Sequence, residues 1–254
     1  VELAIVMTII ALLIGGILKG QELMLNARVT ATIAQVRSYE AAATTFRDSF
    51  ASLPGDMPGA STRLPGCAAS CDPVAATAGN SIIGNPTWTT GWASQGVPLS
   101  DTTVSKETTL FWIHLLAADL ISGVSPQPIT TPATAVQWGV THPQARINGG
   151  FVIGYANGAG VQPGLAATVN TNPTGLQLAL NTAPNIPLGT TAGQNPLTAG
   201  KAAQIDRKMD DGRPSSGFVQ AYGVTASCFT AAGTLVYAEG TTGNDCGVLF
   251  RIQG

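Results

Sequence analysis

VELAIVMTIIALLIGGIL, Val1 to Leu18, is apolar throughout except for Thr8 and a single acid, Glu2. The pattern then turns amphipathic and meets no proline until Pro54. At about 1.5 Å per residue, a continuous helix over Val1–Leu53 is roughly 80 Å long. A globular domain of this size has no use for such a length. Residues 1–20 match the run of about 20 apolar residues that a bilayer core requires. Beyond them, Val29, Ile33, Val36, Ala43, Phe46, Phe50 and Leu53 recur close to the helical period and form a stripe that needs a partner. The expectation is an α+β chain in two parts: a helical rod over 1–53 and a loop-rich globular head over 54–254 with an antiparallel sheet.

Glu2 is the oddity of the rod. A carboxylate near the end of an apolar helix is costly in lipid and reads as functional once a partner can be named. The plainer reading places it at the membrane interface with no task. Three glycines, Gly15, Gly16 and Gly20, fall within six residues, and each costs about 1 kcal/mol against alanine inside a helix. They mark the weakest part of the rod, or else small residues at which membrane helices approach closely.

The run VELAIVMTIIALLIGG resembles the N-terminus of mature type IV pilins and of the pseudopilins of type II secretion. The resemblance implies processing by a prepilin peptidase, methylation of the new N-terminus and pairing of Glu2 with a neighbouring subunit's terminal amine. Members usually carry an aromatic residue and two more ahead of the Val-Glu step, so a few residues and a basic leader are expected before Val1. YEAAATTFRDSFASLPGDMPGA (39–60) and IDRKMDDGRPSSG (205–217) resemble a subset of pilin-like proteins with an LPGD turn. On this reading Val1, Glu2, Gly15, Gly16 and Gly20 are assembly residues. The apolar helix sits in the inner membrane and then in a filament core, where an unpaired Glu2 would be a buried charge needing a cation.

Composition agrees with an exported surface protein. Only 10% of the 254 residues are charged, and the net charge of −2 makes no electrostatic case for nucleic acid. The chain holds 30 glycines and 16 prolines, many within Thr- and Asn-rich loops. One tension concerns topology. Lys19, Arg28 and Arg37 follow the apolar run and would tend to hold that side in the cytoplasm, whereas the pilin reading puts the head outside. Glu22 and Glu40 partly offset Lys19 and Arg37, and a basic leader would set the direction.

The rod stops at Leu53-Pro54-Gly55-Asp56, with proline and glycine just past its last apolar position. Residues 54–104 have little periodicity. SKETTLFWIHLLAADLISG (105–123) reads as a second helix with a serine cap, an acid in its first turn and a closing glycine. Leu110, Ile113, His114, Ala117, Leu120 and Ile121 share one broad face, so it packs on the rod or the sheet. A lone histidine on such a face reads as a satisfied core residue before it reads as a catalyst. Phe151–Ala156 looks like a strand, with a weaker one at Leu165–Val169 to pair with it. Residues 170–198 read as an apolar, irregular loop and a candidate subunit contact. A short helix is expected over Thr198–Met209, then strands at Phe218–Thr225, Thr234–Glu239 and Gly247–Ile252.

Asp206, Asp210 and Asp211 beside Gly212 could hold a calcium ion through oxygen ligands, although Asx-type turns also account for Asp-Asp-Gly. No other cofactor is indicated. The four cysteines, Cys67, Cys71, Cys228 and Cys246, allow three pairings. Sequence order favours Cys67 with Cys71 and Cys228 with Cys246, and the resemblance independently implies a C-terminal disulfide-bounded loop. Reduced, Cys67 and Cys71 would be half of a metal site, with no second pair at zinc-like spacing.

Enzyme signatures are lacking: the chain has no G-x-S-x-G, no H-E-x-x-H, no P-loop and no Cys-x-x-Cys-His for haem. Together with the resemblance, this makes the expected function structural and non-enzymatic, as the major subunit of a type IV pilus-like extracellular filament. Its partners are further copies of itself and, by resemblance, the prepilin peptidase and pilus assembly machinery. The alternatives are a type II secretion pseudopilin, or a surface binding or adhesion protein tethered by a signal anchor.

Overall fold

The computed structural model describes residues 2–67, 69–73, 75, 78–84, 107–124, 137–157, 174–183, 188–189, 191–230 and 235–252. Helix α1 runs without a break over Glu2–Phe50, three residues short of Leu53. It ends where Ala51 turns left-handed (φ 54°), with the Ala51 N–H on the Arg47 carbonyl at 2.8 Å. The guanidinium of Arg63, on the one-turn helix α2 (Ala60–Arg63), donates to the Phe50 carbonyl at 2.6 Å. A cation there satisfies an orphan carbonyl and suits the negative end of the helix dipole.

The second half of α1 buries Val29, Thr32, Val36, Tyr39, Ala42, Ala43 and Phe46. Ile33, Phe50 and Leu53 are partly buried against the same core. The expected stripe is thus real but broader, since Thr32, Tyr39 and Ala42 widen it. Thr32 tolerates burial because its hydroxyl returns a hydrogen bond to the Arg28 carbonyl at 2.9 Å.

Helix α3 spans Glu107–Ala117, inside the expected 105–123; the serine proposed as its cap, Ser105, lies outside the described residues. The helix is not amphipathic in place. Every residue from Glu107 to Leu115 is buried, because α3 lies between α1 and the sheet. The chain leaves it through Asp119 in a left-handed conformation (φ 57°).

Four antiparallel strands form one sheet in the order β1-β2-β4-β3: β1 Gly150–Asn157, β2 Thr174–Asn181, β3 Val219–Gly223 and β4 Cys246–Arg251. Registers are Ile153↔Leu178, Leu178↔Phe250 and Ala221↔Val248. Phe151, Ile153, Leu176, Leu178, Leu180, Val219, Ala221, Val248 and Phe250 point to the helical side. Val152, Ala179, Tyr222 and Leu249 point to the other, beneath Leu188 and Trp138. This alternation is the period-2 geometry of strands with both faces covered. The fold is α+β, as expected.

Two strand assignments need correction. Residues 170–198 are not an irregular loop throughout, because TGLQLALN forms β2, one of the two inner strands. Residues 235–239 form no strand: Tyr237 makes a single bridge to Phe229, and the segment is strapped by Ala238 N–H to the Cys228 carbonyl at 2.9 Å. The expected strand at Leu165–Val169 lies outside the described residues. Between β2 and β3, α4 (Ala199–Met209) starts one residue inside the expected Thr198–Met209 and buries Ala199, Ala202, Ala203, Ile205 and Asp206.

Both sheet edges are occupied. On β1, the Phe151 N–H donates to the Pro143 carbonyl at 3.0 Å and the Tyr155 N–H to the Ile83 carbonyl at 3.1 Å. On β3, the Ala221 N–H donates to the Pro214 carbonyl at 2.8 Å. Coil segments, two of them through proline carbonyls, thus take up donors that an edge strand would offer to another chain.

Candidate assembly helix and its anchorage

Every residue from Glu2 to Leu25 is exposed. The set includes Leu3 (82%), Met7 (72%) and Leu12 (77%). This segment is about 36 Å long, contains a window apolar enough to cross a membrane, and none of that window is buried against the head. An apolar surface of this extent is far beyond the few hundred Å² that monomeric soluble proteins leave uncovered. Glu2 is exposed at its tip; Val1 lies outside the described residues. Gly15, Gly16 and Gly20 are helical, and a Cβ added at any of them would meet nothing within 4 Å. Lys19 and Glu22 pair at 2.7 Å on the exposed helix.

The head grips α1 from Asn26 onward. From α4, the Gln204 amide donates to Asn26 Oδ1 at 3.3 Å and Lys208 Nζ to Thr30 Oγ1 at 3.3 Å. Further along, Gln35 donates to the Gln144 carbonyl at 3.1 Å and accepts the Arg146 N–H at 3.0 Å. The apolar half therefore stands clear while the polar half is fixed at several points.

The LPGD turn is the second anchor. Gly55 has φ +87°, and a Cβ there would collide with the Glu107 carbonyl and approach Phe111 N to 2.9 Å. The Asp56 carboxylate is buried and accepts three successive backbone N–H groups: Gly79 (2.6 Å), Asn80 (3.3 Å) and Ser81 (2.7 Å). Burial raises its pKa while those donors oppose the rise. His114, buried as expected, bridges Gly55 and the Cys71 carbonyl through its two ring nitrogens. Desolvation lowers its pKa, against the Cys71 carbonyl and Asp72.

All four cysteines are paired, Cys67 with Cys71 and Cys228 with Cys246. The first bond closes a loop next to Asp72, whose carboxylate takes the Ser61 N–H at 2.9 Å and hydroxyl at 2.7 Å. The second ties β4 to the start of the segment that carries Tyr237.

Asp206, Asp210 and Asp211 do come together: one carboxylate oxygen from each lies within 4.8 Å of the others. Oxygens are the ligands calcium takes, but here they also organise the turn. Asp206 accepts the Tyr237 hydroxyl at 2.7 Å and the Gly212 N–H at 3.0 Å. Asp210 accepts the backbone N–H groups of Phe218 and of Val219. Asp211 accepts the Arg213 N–H at 2.9 Å and the Ser216 hydroxyl at 2.6 Å. Burial, with Asp211 and Asp210 adding repulsion, pushes the Asp206 pKa up to about 7 against the opposing Tyr237 and Gly212 bonds. Sequence reasoning missed Tyr237 as a partner of Asp206 and Glu239 as a partner of Arg207. No local spacing encodes contacts across some thirty residues.

Comparison of the chain with protein-family models, with curated proteins and with solved structures finds no match. The long apolar N-terminal helix and the C-terminal antiparallel sheet are nonetheless pilin-like in shape. This helix, the single candidate span among the described residues, is compatible with membrane anchoring or with a signal sequence.

Proposed function

We propose that this chain is the major structural subunit of a type IV pilus-like extracellular filament. The supporting observation is the division of α1 at Asn26: an uncovered apolar half ahead of a half fixed in the head. Bundling many such helices would remove apolar surface from water and lipid together, with each Å² withdrawn from water worth about 25 cal/mol. Before assembly the same half would hold the subunit in the inner membrane. Within the bundle, Glu2 would require a cation from a neighbouring copy, which fixes axial register.

The test is electron cryo-microscopy of material sheared from producing cells, together with a Glu2→Ala chain. Filaments with α1 bundled on the axis and Glu2 beside a neighbour's terminus are expected, and the variant is expected to lose fibres. Fibres that stay short and periplasmic would assign the chain to the pseudopilins instead. A membrane-bound, detergent-soluble monomer whose surface display survives Glu2→Ala would replace the filament with a tethered head.

A further inference from the structure

We propose that Thr108, Trp112 and His142 form an internal hydration site, in which one water molecule joins α3 to the 137–142 turn. Three buried polar atoms carry the argument: Thr108 Oγ1, Trp112 Nε1 and His142 Nε2 have no hydrogen-bond partner among the described residues. All three residues are at most 1% exposed. Thr108 and Trp112 are one turn apart on α3, so their side chains lie on the same face. The Trp112 and His142 rings meet edge-on with centroids 6.4 Å apart.

The 137–142 turn offers a proton arrangement that suits the site. The Gln137 N–H donates to Thr141 Oγ1 at 2.9 Å, and the Thr141 hydroxyl has the Gln137 carbonyl at 3.2 Å as acceptor. With that proton on the Gln137 carbonyl, His142 Nδ1, 2.9 Å from Thr141 Oγ1, is the donor of the second pair. The ring proton then sits on Nδ1, and Nε2 presents a lone pair to the interior. Complete burial drives the His142 pKa down to about 3, which keeps the ring neutral.

A neutral imidazole acceptor, an indole donor and a hydroxyl are a complementary set for water. Trp112 Nε1–H and the Thr108 hydroxyl donate to its oxygen, and the water donates to His142 Nε2. Three bonds is the usual number for a buried water. A buried polar atom left dry forfeits its hydration without compensation, so the site gives a physical reason for an otherwise costly trio. Its place is central: Trp112 also packs edge-on against Tyr39 of α1 and against Phe111.

The experiment is NMR on the ¹⁵N-labelled full chain in detergent micelles. Long-range ¹H–¹⁵N correlation is expected to show the Nδ1–H tautomer of His142, with Nε2 displaced from the free-acceptor position. A cross-relaxation peak is expected between the Trp112 indole proton and a long-lived water. Trp112→Phe should shift Nε2 without changing the tautomer, and Thr108→Val, which keeps the side-chain shape, should shift the Trp112 indole signal. A missing water peak, an Nε2–H tautomer, or a Thr108→Val chain with both signals unmoved would overturn the site. The wild-type spectra decide the matter even where Trp112→Phe does not fold.

Discussion

The backbone N–H of Gly55 donates to Nδ1 of His114 at 2.8 Å, while Nε2 of the same ring lies 2.9 Å from the Cys71 carbonyl. One neutral imidazole thus ties the turn that ends α1, the core helix α3 and the loop closed by Cys67–Cys71. The pairing fixes the tautomer, because the Gly55 N–H needs an acceptor at Nδ1 and the carbonyl needs a proton at Nε2.

Gly55→Ala is expected to be among the most damaging single changes in the head. The new Cβ meets α3 backbone rather than a movable side chain, and the φ of +87° is strained for any L residue. A loss of about 2–5 kcal/mol follows from the two effects together. Thermal unfolding in detergent, followed by circular dichroism, checks it. Gly66→Ala serves as the comparison, with a positive φ but nothing within 4 Å.

Stability should respond to pH in two opposite ways. Burial lowers the pKa of His114, and that of His142 to about 3. Their contribution is present above the unfolded value near 6.5 and is lost as pH falls from there toward 3. Asp206 has its pKa raised to about 7. Its contribution is full below the unfolded value near 4 and is lost as pH rises through 7. The groups facing it are Tyr237, Asp210, Asp211 and Arg207. Asp206→Asn, which can still accept from Gly212 and pair with Tyr237, should remove the loss between pH 4 and 7. Denaturant midpoints across pH 3–8 for the two chains test this; parallel curves would refute it.

The two disulfides should differ in worth. On the loop-entropy model, opening Cys228–Cys246, eighteen residues apart, costs about 3 kcal/mol, and opening Cys67–Cys71, four apart, about 2 kcal/mol. Double Cys→Ser chains compared by guanidinium unfolding give the order. The first pair should also loosen Tyr237 from Asp206, which the pH profile would register.

Replacing Gly15, Gly16 and Gly20 together by alanine should stiffen α1 by about 1 kcal/mol per site, because no neighbour obstructs the new methyl groups. Slower hydrogen exchange over residues 12–24 would show it in the isolated subunit. Under the filament reading, the stiffened chain should make fewer or differently spaced fibres. Unchanged fibres would mean that neither flexibility nor close approach at these glycines serves assembly.

Periodicity made the rod legible, since a 3.6-residue repeat over some thirty positions is hard to reconcile with anything but a helix. It failed for β2: TGLQLALN alternates correctly, but Gln177 and Asn181 are buried polar residues, and the Gly, Pro and Asn around the segment outweighed the pattern. The reverse error at 235–239 has a similar source. Tyr237 is buried there because its hydroxyl reaches Asp206, a long-range bond that looks in sequence like one step of strand alternation. For α3, the apparent single face missed that α1 and the sheet enclose the helix from both sides.

The sequence alone determined what depends on near neighbours along the chain. It placed the apolar half of α1, the stripe that seats the head, the end of α1 to within three residues, the start of α4 to within one and the α+β class. Tertiary structure decided what depends on groups brought together across the fold. It placed β2 beside β4 in the interior of the sheet and chose the cysteine pairing among three. It also showed that His114 and Asp56 serve the joint at the end of α1, and it set the acidic trio as a hydrogen-bonded turn around a protonatable Asp206. Propensity and periodicity act over a few residues, whereas burial, desolvation and hydrogen-bond satisfaction are fixed only once distant segments exclude water from one another.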